Sequence, residues 1–137
     1  LAHVAKAAPK GIVCLLSALR FHEIGTQMPH KVWIAIDRRA AKPLFVKPKI
    51  QIVRFSGLAL TEGVGRFMVA GVDIPVFTPA KTIADCFKFR NKIGLDVALE
   101  ALKEGIRTRK ADVGEVWKHA IICRVTKVIQ HHMEASV

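Results

Sequence analysis

Val76-Phe77-Thr78-Pro79-Ala80-Lys81-Thr82-Ile83-Ala84-Asp85-Cys86-Phe87-Lys88-Phe89-Arg90-Asn91-Lys92-Ile93-Gly94 carries the chain out of a strand, into a helix, and to a stop. Thr78 is placed to accept a hydrogen bond from the first helical turn, and Pro79 suits the first helical position because its missing N–H would be unpaired there. Gly94 can end the helix in a left-handed conformation. Ala80, Ile83, Ala84 and Phe87 share one face, whereas Lys81, Asp85, Lys88 and Lys92 recur on another. This spacing predicts an amphipathic helix with one basic side. Asp85 reads as a surface charge between Lys81 and Lys88.

Upstream of this stretch the pattern is strand-like. Lys31 to Ile36 alternates, with Val32, Ile34 and Ile36 on one face and Trp33 and Ala35 on the other. Lys49 to Phe55 reads as a second strand, imperfect because Arg54 shares a face with Ile50 and Ile52. Arg66–Val69 and Val72–Phe77 are expected to pair as a hairpin across Ala70-Gly71, with Pro75 placing the latter at an edge or a bulge. Pro9 to Arg20, by contrast, has Ile12, Leu15, Leu16 and Leu19 at helical spacing and reads as a buried helix.

Downstream the pattern is helical. Leu95, Leu99, Leu102 and Ile106 form a stripe, Asp112 with Glu115 resembles a capping box, and Val128, Ile129 and Met133 point inward from a last helix. Strands first and helices after predict a single α+β domain over residues 1–137. Its antiparallel sheet of about four strands is followed by a layer of three to four C-terminal helices.

Composition limits the chemistry. The chain has 137 residues, 51% of them hydrophobic, with mean hydropathy +0.28, a globular balance. Net charge is +11 and the pI is about 10.1, which favours an anionic partner. The excess is uneven: +7 over residues 1–50, +3 over 51–92 and +1 over the remainder. The apolar run Ile12 to Leu16, extended to Leu19, is too short to span a bilayer, so no membrane partner is expected. Cys14, Cys86 and Cys123 are odd in number and widely spaced, and a reduced cytoplasmic chain is the simplest account.

No catalytic constellation stands out. His119 and Cys123 lie four apart, but two ligands on one helix turn do not close a metal site, so no metal or cofactor is expected. Glu62-Gly63-Val64-Gly65-Arg66 precedes no helix and reads as a turn. Ser17 and Cys14 sit in an apolar helix, and no His stands near Cys86 in sequence. Two basic surfaces remain as contact candidates: an arm with Arg38, Arg39, Lys42, Lys47, Lys49 and Arg54, and the group Lys81, Lys88, Arg90 and Lys92. Such residues pair with phosphates or with acidic side chains of a partner protein.

Pro9–Leu19, Pro29–Ile36, Val53–Gly57 and Thr78–Gly94, in that order, resemble the AbiEi-type antitoxins, bacterial regulators of abortive-infection, phage-defence loci. The likeness runs over nearly the whole chain, and its last segment is the most specific. The resemblance implies the C-terminal antitoxin domain of a two-part regulator. A winged helix recognises the operon's own promoter DNA, and the second domain neutralises a nucleotidyltransferase-like toxin. By this resemblance the winged helix is expected to be largely absent here, with Leu1 to Ala8 as its remnant. The family supplies no catalytic residues, so the expected function is non-enzymatic. Two other readings stand beside it: a metal-dependent nuclease using Asp37, Asp73 or Asp85, and a module that homodimerises through the Leu95–Ile106 stripe.

Overall fold

The described residues form thirteen elements along the chain. The computed structural model describes residues 1–42 and 49–136, with the side chains of residues 7 and 133–136 left aside. In order they are α1 (Ala2–Ala7), β1 (Ile12–Val13), α2 (Leu15–Phe21), β2 (Val32–Asp37), β3 (Ile50–Phe55), α3 (Leu58–Thr61), β4 (Val64–Val69), β5 (Val72–Phe77), α4 (Pro79–Lys88), α5 (Arg90–Ile93), α6 (Leu95–Arg107), α7 (Val113–Cys123) and α8 (Thr126–Ser136). Met133 and Lys47 lie outside the described side chains. No described helix is long and apolar enough to cross a membrane.

The class is α+β, but the sheet is mixed and has five strands in the order β3-β2-β1-β5-β4. β2 runs parallel to β3 with Val32 opposite Ile50 and Asp37 opposite Phe55. The expected hairpin forms, antiparallel, with Val69 opposite Val72. What joins the two pairs is β1, antiparallel to β2 and parallel to β5. The reading of Pro9–Arg20 as one helix concealed it. Only Leu15–Phe21 is helical, while Ile12 and Val13, β-branched and adjacent, pair on both sides. The switch is sharp, since buried Leu15 takes φ +45. It is held there because Cys14 N–H donates to the Trp33 carbonyl at 3.0 Å and Ser17 Oγ accepts from Trp33 N–H at 2.8 Å.

With β1 in place, β5 becomes an interior strand, which corrects the edge position expected from Pro75. β1 is only two residues long and meets β5 at Val13 opposite Val76, so a missing donor at Pro75 disturbs little.

The alternation of β2 is as expected and organises both layers. Trp33 and Ala35 face a core with Val53, Phe55, Phe77 and the helices α4, α6, α7 and α8. Ile34 and Ile36 face a second cluster with Ile74, Val76, Val4 of α1 and Ala18 of α2. The Leu95–Ile106 stripe is spent in the first core: Leu102 is buried, Leu99 and Ile106 pack against it, and Leu95 alone is exposed. The dimer surface expected there is therefore taken up by the chain's own packing.

Five helical segments follow β5, more than the three to four expected, because the chain breaks at Phe89 and again at Gly94, where φ is +100. Pro79 is the first helical residue of α4 as expected, but the Thr78 side chain does not cap it. Instead Thr78 N–H donates to the Gly63 carbonyl at 2.8 Å, tying the helix start to the turn before β4. Asp112 does cap α7, accepting from Glu115 N–H at 3.1 Å. The expected turn narrows to Glu62-Gly63, since β4 starts at Val64.

Candidate functional site

The basic helix face predicted for 81–92 is divided by the fold. Lys81 and Asp85 have no exposed surface at all. They sit on the side of α4 that meets α7, so one turn of the "polar" face points into the core. Lys81 Nζ donates to both Asp85 oxygens, at 2.6 and 2.5 Å. The ammonium lies 3.9 Å from the Phe77 ring centroid and 4.7 Å from that of Phe55, where two aromatic faces replace lost hydration. Cys123 Sγ donates a third bond to Asp85 Oδ1 at 3.4 Å. Burial outweighs the Lys81 ammonium and pushes the Asp85 carboxyl up to about 6. Lys81 and Asp85 are thus interior groups, and the surface roles expected of them are withdrawn. Helical periodicity could not reveal this, because a Lys–Asp pair four apart looks alike outside and inside.

Above the pair lies Gly63, with φ +78. A Cβ there would collide with the Lys81 stem and with Cε1 of His119. His119 is 3% exposed, and its Nδ1 is the one buried side-chain polar atom without a hydrogen-bond partner among the described residues. Burial lowers its pKa first, then the nearby Lys81 and Lys118, against smaller upward pulls from Glu115 and Glu62. Its neutral form is the folded form, so this contribution to stability is present above pH 6.5 and is lost as pH falls through the lowered value. Asp85 acts in the opposite sense, losing stability as pH rises from 3.8 toward about 6. The difference between wild type and His119→Leu isolates the histidine. Urea midpoints of the wild type should fall relative to the variant as pH drops below 6.5, and parallel curves would refute this.

All three cysteines are free, buried thiols. Burial and the Asp85 carboxylate raise Cys86 strongly and push Cys123 up to about 12, while burial raises Cys14 well above the thiol norm. None is poised as a thiolate nucleophile. Among the described residues no three His, Cys, Asp or Glu side chains gather as a metal-binding group.

The second surface is also divided. Arg38, Arg39 and Lys42 are exposed on the turn leaving β2. Lys49, whose carbonyl accepts from Val32 N–H at 3.1 Å, sits at the other end of the β2–β3 pair. The five residue steps between Val32 and Asp37 separate these ends by about 17 Å. The arm is therefore two sites, not one. Arg54 has a different task. Its Nη1 donates to the carbonyls of Ala40 at 2.7 Å, Arg38 at 3.1 Å and Asp37 at 3.4 Å, which pins the turn. Asp37 Oδ1 accepts from Arg39 N–H at 2.8 Å and fixes the same turn from inside. None of Arg38, Arg39 and Lys42 joins an ion pair among the described residues.

Lys88 and Lys92 are exposed as expected, and half-buried Arg90 donates from Nη1 to the Phe87 carbonyl at 2.7 Å. Phe89 packs 5.2 Å from Phe55, so this junction lies against the end of β3, on the face opposite Arg54. Lys10 is not among the contact residues expected from the sequence. It comes from the α1–β1 connection yet lines a cleft with Asp37, Ala40 and Ala41. Only the β1–β2 pairing brings it there, a contact that no local pattern announces.

Comparison with known protein families finds no matching family model, and comparison with curated proteins finds no match.

Proposed function

We propose that this chain is a non-enzymatic antitoxin domain of an AbiEi-type bacterial regulator, acting in the cytoplasm against a nucleotidyltransferase-like toxin and adding backbone contacts to DNA-binding autoregulation. The observation that supports this reading best is the β2 exit turn. Arg38, Arg39 and Lys42 stand exposed, in no ion pair among the described residues, on a turn whose carbonyls Arg54 holds. Preorganised cations on a firm platform suit phosphate contact, which needs position and charge but no bond-breaking group.

The rival nuclease reading needs a free acid near a metal. Asp85 is sealed against Lys81, Asp73 pairs with Arg66 at 2.9 Å, and Asp37 braces its own turn. Metal-dependent turnover of labelled DNA or RNA that disappears in Asp73→Ala would favour the rival.

The test of the main reading is charge reversal. Changing Arg38, Arg39 and Lys42 together to Glu should lower affinity for duplex DNA at least tenfold at low salt and flatten the salt slope by about 3. Reversing the exposed Lys118, Arg124 and Lys127 on and beside α7 should do much less. Equal losses from both triples would remove the turn from the mechanism.

A further inference from the structure

The cleft beside the β2 exit turn has the chemistry of a single nucleotide. It encloses about 550 Å³, within the range of small-molecule sites. Its described walls come from three separated stretches of chain, with Ala8 and Gly11 before β1, Ile36 near the end of β2, and Leu60 on α3. Alanine and glycine at these points leave a slot rather than a filled core. Lys10 stands in the lining itself, and Arg39 and Lys42 are exposed in sequence on either side of the lining residues Ala40 and Ala41. Among the described lining residues Asp37 is the one acidic side chain. Asp37 spends Oδ1 on Arg39 N–H, leaving Oδ2 for a donor in the cleft.

We infer that this cleft binds a nucleotide unit, with its base in the slot and its phosphate on Lys10, Arg39 and Lys42. The inference rests on the phosphate-contact reading of the same turn and extends it from backbone to base. An apolar slot alone would take a fatty chain. A carboxylate set in the wall disfavours that occupant and calls for N–H groups, which a base edge supplies. Guanine offers adjacent N–H donors on its Watson–Crick edge, and edge reading of this kind marks pockets that take an unstacked base. Arg54 is the positioning residue, since it holds the carbonyls of the turn that carries Asp37 and Arg39.

The test uses the full chain and two short single-stranded oligonucleotides, one wholly abasic and one with a single guanosine in the same abasic strand. Fluorescence anisotropy at low salt should show the guanosine strand binding about tenfold tighter. Asp37→Asn keeps Oδ1 for the turn and turns the second acceptor into a donor. It should erase the difference between the two strands. Ala40→Leu, which narrows the slot, should also erase it. Competition by GMP would extend the site to free nucleotides, and failure of GMP to compete would confine it to strands. Equal binding of the two strands would overturn this inference alone, as would loss of the guanosine preference to a fatty carboxylate but not to GMP. If neither strand bound, the phosphate-contact reading would fall as well.

Discussion

Lys81→Met alone should cost about 3–5 kcal/mol of stability, whereas Lys81→Met combined with Asp85→Leu should cost far less and could stabilise. The single change leaves a carboxylate with no exposed surface that has lost its ammonium partner and keeps the Cys123 thiol as a donor. The double change removes both charges and fills the space with side chains of similar size. Chemical denaturation of the two singles and the double gives the coupling directly. Additive losses would mean that the two groups are not coupled inside the core. A double variant that is stable yet fails to bind nucleic acid would move the pair from scaffold to function.

Gly63→Ala is the second large effect, at roughly 3 kcal/mol destabilising. Two causes combine. The backbone at φ +78 disfavours any side chain, and the added methyl would press on the Lys81 stem and the His119 ring. Neither neighbour can swing away, because both are buried. Gly71→Ala makes the control. It shares a φ of +77 but has open space around its Cβ position, so it should lose only the backbone part. Equal losses at both positions would show that the turn does not press on the pair.

These effects mark where the sequence was legible. The β2 alternation, the β4–β5 hairpin and the Asp112 cap could be read because each is local: period, turn and cap lie within a few residues. β1 could not. Two residues cannot express a period of two, and Leu15, Leu16 and Leu19 beyond them match a helix. The interior position of Lys81 was hidden for another reason. Its ring contacts Phe55 and Phe77 come from β3 and β5, and Cys123 of α7 donates to its helical partner Asp85, so the walls around the pair are tertiary. The same holds for Lys10, which reaches Asp37 only through strand pairing. Exposed cations within one turn, such as Arg38, Arg39 and Lys42, needed no tertiary knowledge, but the split between that turn and Lys49 did.

The sealed ion pair has an evolutionary corollary. A polypeptide that retains it can exchange Arg38, Arg39 and Lys42 on its outside and still reach the same architecture, since none of the three is paired to the interior lysine and aspartate. Descendants of such an ancestor would be free to acquire new clients quickly, with the inner lysine and aspartate passed down as a hereditary frame, indifferent to the guest.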